Sequence, residues 1–183
     1  PAHDIDRRGF LIAGTAGAAA ALATLRAQAA EPQMRDPGSW TEFRVPKIDP
    51  VRIGYVGVGG MGSSHVRNLL RIPGVELRAI CDIVPEKVER IQKQVVAAGQ
   101  PMPDGYSKGP LDFKRLCDRS DLDLVYNATP WEWHVPICLA AMESGKHAAT
   151  EVPAATTLEE CWQLVETAER TKKHCIMMEN CCY

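Results

Sequence analysis

Short apolar runs alternate with amphipathic stretches along the chain from residue 51 onward. The apolar runs have the length of buried strands, and the stretches between them repeat apolar residues at helical spacing. The predicted strands cover residues 51–58, 75–81, 122–128, 147–150 and 174–178. The predicted helices cover residues 63–71, 85–98, 111–117, 135–144 and 157–171. Repeated strand–helix units predict an α/β fold with a doubly wound parallel sheet.

Local signals mark where two of the helices begin. Pro85 suits the first turn of a helix, because that position needs no backbone N–H donor. Thr157 and Glu160 have the spacing of a capping box at the start of the last helix. Residues 100–108 are rich in proline and glycine and are predicted to form a loop.

The first 29 residues depart from this pattern and are predicted to be a signal peptide. Arg7 and Arg8 precede a weakly apolar run over residues 10–25, and Ala27-Gln28-Ala29 supplies a small-x-small cleavage site. Paired arginines followed by x-Phe-Leu are typical of twin-arginine signals, so we expect a periplasmic or secreted protein. A membrane anchor and an amphipathic helix are the alternatives. The run is short for a bilayer span, so no stable membrane anchor is expected.

The rest of the N-terminal region and the composition narrow the class of protein. Residues 30–50 are rich in proline, lack periodicity and are predicted to be an extended lead-in. The chain has 183 residues, 45% of them hydrophobic, which suits one soluble domain with a tail. Its net charge of −2 gives no electrostatic reason to expect nucleic acid or an anionic membrane as a partner.

Seven cysteines are scattered through apolar segments without Cys-x-x-Cys or zinc-finger spacing. The pattern favours small buried hydrophobic residues over the alternatives, a disulfide framework or a metal site. No metal site is therefore predicted.

A glycine-rich segment links the first predicted strand to the first predicted helix, with the spacing G-x-G-x-x-G. Gly57 permits the tight turn, Gly59 lets the backbone approach a pyrophosphate, and Gly62 permits close packing of the helix. The backbone amides at Gly60 and Met61 open the helix and face the phosphates. The segment predicts a Rossmann fold in which these five residues contact a dinucleotide.

Asp82 ends the second predicted strand, twenty residues after Gly62. A carboxylate there accepts hydrogen bonds from the adenosine ribose hydroxyls and repels a 2′-phosphate, so the predicted cofactor is NAD. The alternative is that Asp82 is only a turn residue at the end of a strand.

Three further segments resemble the α-N-acetylgalactosaminidase branch, glycosyl hydrolase family 109, of the Gfo/Idh/MocA superfamily. Gly145-Lys146-His147 followed by Glu151-Val152-Pro153 is similar to the superfamily's Gly-Lys-His strand that leads to Glu-Lys-Pro. Trp131-Glu132-Trp133-His134 resembles that branch in particular. The same holds for residues 157–162 and 178–183.

The resemblance implies a site and a domain organisation. Residues 51–183 would be the Rossmann domain, and the family's C-terminal α/β domain with the rest of the substrate site would be missing from the chain. The implied NAD contacts are Trp131, Glu132, Trp133, His134, Glu151, Val152 and Asn180, and the implied catalytic proton-transfer group is Tyr183. The alternatives are that the two tryptophans cap the core and that the tyrosine only packs.

One position departs from the superfamily's pattern. Val152 stands where dehydrogenase members carry a lysine that helps to move a proton off the substrate hydroxyl. Valine has no titratable proton, which weakens the hypothesis of a simple alcohol dehydrogenase.

The resemblance implies an NAD-dependent glycoside hydrolase that acts on a terminal α-linked N-acetylgalactosaminide. In this branch NAD⁺ removes a hydride from the sugar's C3, and the C1 group leaves by elimination after the C2 proton is lost. Water then adds to the enone, and NADH returns the hydride. Two alternatives remain: an exported NAD-dependent sugar oxidoreductase, and a non-enzymatic fragment that binds NAD or sugar. The fragment alone is expected to be inactive, and a homo-oligomer through the missing domain is expected.

Overall fold

Six parallel strands alternate with five α-helices over residues 44–179, the residues that the computed structural model describes. The strands are β1 (Val51–Val56), β2 (Val75–Cys81), β3 (Asp104–Tyr106), β4 (Leu124–Asn127), β5 (His147–Thr150) and β6 (Cys175–Met177). The helices are α1 (Gly60–Leu69), α2 (Pro85–Ala97), α3 (Phe113–Cys117), α4 (His134–Glu143) and α5 (Leu158–Thr171). A 3₁₀ turn, Trp131–Trp133, precedes α4.

The strands form one sheet in the order β3-β2-β1-β4-β5-β6, and every neighbouring pair is parallel. At the carboxyl edge Val56 of β1 pairs with Cys81 of β2 on one side and with Asn127 of β4 on the other. The chain order reverses between β1 and β4, which makes this edge the switch point where open α/β sheets bind ligands. The structure confirms the predicted α/β Rossmann fold.

Both faces of the sheet are covered, and β1 shows how the sequence achieves this. Tyr55 packs into a core cluster with Val66 of α1 and Ile91 of α2. Its neighbour Val56 belongs to a second cluster, which contains Leu116 of α3. Successive side chains of a strand point to opposite faces, so an unbroken apolar run supplies both cores.

The structure corrects one predicted loop and the predicted end of β1. The predicted loop over residues 100–108 contains β3, whose Ala79–Asp104 and Cys81–Tyr106 pairs attach it to β2. Only Tyr106 of the three strand residues is buried, so this edge strand carries no apolar run for a pattern to reveal. β1 ends at Val56 rather than at residue 58, because Gly57 turns away with a φ of 84°.

The signals predicted for helix starts are confirmed. Pro85 occupies the first position of α2. The capping box of α5 is complete: Glu160 N donates to Thr157 Oγ1 at 3.2 Å, and Thr157 N donates to Glu160 Oε2 at 3.0 Å.

The predicted signal peptide and most of the predicted lead-in lie outside the described residues. The lead-in's residues 44–50, which are described, form neither helix nor strand. Among the helices of residues 44–179, none combines the length and the apolar character needed to cross a bilayer.

Candidate functional site

A cavity of about 440 Å³ opens at the carboxyl ends of β1, β2 and β4. Its walls come from four separate segments of the chain, and they include Gly59, Met61, Asp82, Phe113, Pro130 and Trp133. The cavity therefore lies at the switch point of the sheet, and its volume is within the usual range for small-molecule sites. We call residues 57–62 with Asp82 the glycine-loop end of the site. We call residues 129–134, which include cavity-lining residues, together with residues 151–153, which follow β5 and are not among the lining residues, the β4–β5 end.

The glycines of the loop meet three different geometric demands. Gly57 has a φ of 84°, a conformation that glycine adopts without strain. A Cβ atom on Gly62 would lie 2.0 Å from the carbonyl oxygen of Gly57, so only glycine lets α1 pack this closely. A Cβ on Gly59 would meet nothing within 4 Å, which leaves open space above the loop. The tight turn, the close packing and the open approach all fit a bound dinucleotide.

Asp82 is attached directly to the glycine loop. Its Oδ2 accepts a hydrogen bond from Val58 N at 2.9 Å, and its Oδ1 accepts one from Val84 N at 3.0 Å. The ammonium of Lys87 lies 3.8 Å from Oδ1. The predicted proximity of the loop and the carboxylate is therefore present, and the carboxylate lines the cavity.

Two residues that the sequence analysis missed hold the other side of Val58. Ser63 Oγ donates to the Val58 carbonyl at 2.9 Å, and Arg90 Nη2 donates to the same oxygen at 3.1 Å. Arg90 also contacts Ser63 Oγ at 3.1 Å. The only sequence signal for Arg90 is a charged residue between the buried Val88 and Ile91 of α2.

A second, cationic cavity adjoins the glycine loop. Its lining includes Arg67 of α1 and Lys87 and Arg90 of α2, together with Gly59 and Gly60. Positive side chains here add to the partial positive charge at the amino end of α1. Phosphate groups are the ligands that such a helix start favours.

The four residues of the Trp-Glu-Trp-His segment face different surroundings. Trp133 lines the cavity and packs edge-on against Phe113, with ring centroids 6.0 Å apart. Trp131 is 63% exposed, and Glu132 is exposed as well. Trp133 is therefore the member whose side chain forms a wall of the cavity. The NAD contacts implied for the other three residues stay predictions.

His134 is buried and joins the two loops of the β4–β5 end. Its Nδ1 lies 2.7 Å from the Pro153 carbonyl, and its Nε2 lies 2.9 Å from the Thr129 carbonyl. Carbonyl oxygens only accept hydrogen bonds, so a ring that carries one proton donates to one of the two carbonyls and lies in contact with the other. The ring therefore ties the segment after β4 to the segment after β5.

Asn127 is a second buried tie that the sequence analysis missed. Its amide nitrogen donates to the His134 carbonyl and to Thr150 Oγ1, both at 3.3 Å. Its Oδ1 accepts from Thr129 N at 3.1 Å and from Thr129 Oγ1 at 2.7 Å. The available sequence signal was a polar residue directly after the apolar run of residues 124–126, and the structure shows that its side chain is fully buried.

The remaining implied contacts follow β5 or lie beyond the described residues. Glu151 N donates to the Asn127 carbonyl at 3.0 Å, and the Glu151 carboxylate lies 3.2 Å from Nε2 of His65. Val152 is 38% exposed. Asn180 and Tyr183 lie outside the described residues, so their implied roles stay predictions.

Comparison with known proteins identifies the fold and the family. The Gfo/Idh/MocA family model, described as an oxidoreductase family with an NAD-binding Rossmann fold, matches residues 51–179. The chain is 46% identical to a glycosyl hydrolase family 109 protein of Shewanella sp. (strain ANA-3), over 99% of the chain and 40% of the relative. It is 45% identical to an alpha-N-acetylgalactosaminidase of Shewanella oneidensis, with the same shares covered. The chain thus spans 40% of the length of these relatives.

Solved structures show the same fold. A scyllo-inositol dehydrogenase of Lactobacillus casei, with bound NAD(H) and scyllo-inositol, matches with a TM-score of 0.61 at 21% identity. The match covers 70% of this chain and 36% of that chain. The WlbA dehydrogenase of Chromobacterium violaceum, in complex with NADH and UDP-GlcNAcA, matches with a TM-score of 0.62 at 25% identity, over 73% and 36%. The chain therefore belongs to the Gfo/Idh/MocA oxidoreductase family and carries that family's NAD-binding Rossmann domain.

Proposed function

We propose that the protein to which this chain belongs is an NAD-dependent glycoside hydrolase, an α-N-acetylgalactosaminidase. The observation that carries the proposal is the identity of 46% to a glycosyl hydrolase family 109 protein and of 45% to an alpha-N-acetylgalactosaminidase, each over 99% of the chain. Val152 follows β5 at the position where, by the resemblance, dehydrogenase members of the family carry a lysine. A valine cannot accept the proton of a substrate hydroxyl, so in this protein another group must take the proton of the C3 hydroxyl.

The residues present fit NAD. The open space at Gly59 admits a pyrophosphate, and Asp82 lies at the end of β2, where ribose hydroxyls are bound in this fold. Arg67 and Lys87 supply positive charge beside the loop. When bound, NAD supplies a hydride acceptor for the sugar's C3 and returns the hydride at the end, so the sugar undergoes hydrolysis without net oxidation.

The chain's own groups bind and orient. The backbone amides at the start of α1 and the side chains of the cationic cavity neutralise phosphate charge. Trp133 and Phe113 form an apolar part of the cavity wall. His134 and Asn127 keep the loops of the β4–β5 end in one geometry. We assign proton transfer at the sugar to Tyr183 and an NAD contact to Asn180.

The rival function is that of a sugar oxidoreductase. The likeness to the scyllo-inositol dehydrogenase and WlbA folds favours it, because both solved proteins are dehydrogenases. The two functions differ in what accumulates: a hydrolase releases the aglycone and leaves the cofactor unchanged, whereas a dehydrogenase converts NAD⁺ to NADH as product forms.

The deciding experiment uses the complete protein. We expect it to retain NAD through purification and to release p-nitrophenol from p-nitrophenyl α-N-acetylgalactosaminide with no lasting rise in absorbance at the NADH band. Persistent NADH with a ketosugar or lactone would establish the rival. The Tyr183→Phe variant tests the proton-transfer role; we expect a loss of kcat of about a hundredfold with NAD retained.

We also propose export through the twin-arginine pathway and assembly into a homo-oligomer. Folded export would let an NAD-loaded enzyme reach a compartment that has no free NAD. Fusing residues 1–29 to a reporter and replacing Arg7 and Arg8 with lysine tests the export signal. Export that survives this double replacement would contradict the proposal.

The molar mass of the complete protein in solution tests whether it forms a homo-oligomer.

A further inference from the structure

Three polar side chains form a chain of contacts from the core to the β4–β5 end. The hydroxyl of Tyr55 in β1 lies 3.1 Å from Nδ1 of His65 in α1. Nε2 of the same ring lies 3.2 Å from Oε1 of Glu151, the residue that follows β5. Tyr55 is fully buried, whereas His65 and Glu151 are each about one-fifth exposed at the side chain. We call these three residues the Tyr–His–Glu chain.

The chemistry of the partners sets the direction of both hydrogen bonds. The Glu151 carboxylate only accepts hydrogen bonds, so the proton of the neutral ring is on Nε2, which donates to it. Nδ1 is then an acceptor, and burial raises the pKa of the Tyr55 phenol, so the hydroxyl keeps the proton that it donates to Nδ1. The carboxylate and the phenol therefore favour the same imidazole tautomer.

The His65 ring has little freedom to leave this position. Tyr126 of β4 packs edge-on against it with ring centroids 5.5 Å apart, and Tyr126 stacks on Tyr55 at 4.9 Å. The helix that carries His65 begins at Gly60, in the glycine loop. A contact from α1 to Glu151 therefore connects the two ends of the site through one side chain.

We propose that His65 is a positioning residue: it holds the Glu151 carboxylate at the β4–β5 end and thereby fixes the geometry in which NAD binds. Neither His65 nor Glu151 is among the described residues that line the two cavities of the site, so the pair acts through the segments that carry it: α1, which begins in the glycine loop, and the segment after β5. The proposal requires only the NAD-binding domain, so it stands or fails independently of glycosidase activity.

The test is a double-mutant cycle read out as NAD affinity of the complete protein by equilibrium dialysis. We expect His65→Leu to raise the Kd for NAD about tenfold, because Glu151 loses a charge-assisted hydrogen bond. Glu151→Ala should give a similar increase. The double variant should bind about as well as either single variant, because both substitutions remove the same interaction.

Two substitutions separate positioning from a general loss of structure. In His65→Gln the amide nitrogen replaces the Nε2 donor, and we expect NAD affinity within about threefold of wild type. His174→Gln replaces a histidine directly before β6, the outer strand of the sheet, and serves as the matched control. We expect its NAD affinity to be unchanged. A tenfold loss in both histidine-to-glutamine variants would overturn the proposal, as would a hundredfold loss in the double variant.

A spectroscopic measurement addresses the tautomer directly and does not depend on ligand binding. In ¹⁵N-labelled full chain, long-range correlation spectra should show His65 with a protonated Nε2 and an unprotonated Nδ1. Tyr55→Phe should allow the other tautomer to become populated, because the donor to Nδ1 is gone. A protonated Nδ1 in the neutral ring of the wild-type protein would contradict the proposal.

Discussion

The two ends of the NAD site are held in place by different kinds of groups. At the glycine-loop end the geometry depends on the backbone and on the lack of side chains: Gly57 allows the turn, Gly62 allows the close packing of α1, and Gly59 leaves open space above the loop. At the β4–β5 end, buried polar side chains hold the loops, with Asn127 and His134 bonded to backbone atoms on both sides. The glycine-loop end therefore depends on the absence of Cβ atoms, and the β4–β5 end depends on hydrogen bonds of buried polar side chains.

This difference changes how each end should respond to substitution. An alanine at Gly62 would overlap backbone atoms, and because the interior is close-packed the helix would have to move. Removing a buried polar side chain such as Asn127 or His134 causes no overlap, but it leaves its former partners without a hydrogen bond. The first kind of change should prevent packing, whereas the second should loosen loops within an intact sheet.

The largest effect is expected at Gly62. Gly62→Ala places a methyl carbon 2.0 Å from the Gly57 oxygen, so α1 must move, and we expect a loss of about 3 kcal/mol or more in the free energy of unfolding. Gly59→Ala is the matched control, since its methyl meets nothing within 4 Å. It should leave the unfolding free energy within about 0.5 kcal/mol and weaken NAD binding. Equal stability of the two variants in urea titrations would refute the packing argument.

The next effect is expected from His134→Ala at the β4–β5 end. Removing the ring takes away the two nitrogens that face the carbonyls of Thr129 and Pro153, one of them a hydrogen-bond donor, together with the packing of a buried side chain, and we expect a loss of about 2 kcal/mol. Hydrogen exchange should show faster opening of the two loops while β1 stays protected. Glu132→Ala, at an exposed neighbouring position, should change neither quantity. Faster exchange in β1 as well would mean that the tie supports the whole sheet.

A smaller effect is expected from Asp82→Asn. The amide keeps one acceptor oxygen for Val58 N or Val84 N but loses the negative charge, which lies near the ammonium of Lys87. We expect NAD affinity to fall about tenfold, which corresponds to about 1.4 kcal/mol. The ratio of NADP to NAD affinity should rise because the repulsion of a 2′-phosphate is gone. An unchanged ratio in parallel titrations would show that the carboxylate does not set cofactor choice.

The smallest effect concerns Cys81, which lines the cavity at the end of β2. Burial raises the pKa of its thiol to about 12, so at pH 8 almost none of it is thiolate. Iodoacetamide should therefore modify exposed Cys161 much faster than Cys81, as peptide-resolved mass spectrometry can measure. The Cys81 rate should rise about tenfold per pH unit as the thiolate fraction grows. Equal rates at pH 8 would mean that the cavity wall opens readily.

The sequence predicted the glycine-loop end well because its demands are local. A turn with positive φ, a close helix approach and a carboxylate at the end of the next strand each require a particular residue at a fixed spacing. Parallel neighbouring strands then bring Gly57 and Asp82 together without further information, since their carboxyl ends meet at one edge. The hydrophobic pattern likewise determined five of the six strands, but not the short exposed β3.

Only the tertiary structure decided how the β4–β5 end is arranged. The motif Trp131-Glu132-Trp133-His134 is contiguous in sequence, yet its three rings have different surroundings. Trp131 is exposed, Trp133 lines the cavity and His134 is buried. The most distant partners of His134, Arg90 and His65 lie 19, 32 and 86 residues away along the chain, at Pro153, Val58 and Glu151. The residue types and their spacing in the sequence determine local backbone conformations such as the glycine turn. The orientation and the hydrogen-bond partner of a buried polar side chain depend instead on which distant segments pack against it in the folded protein.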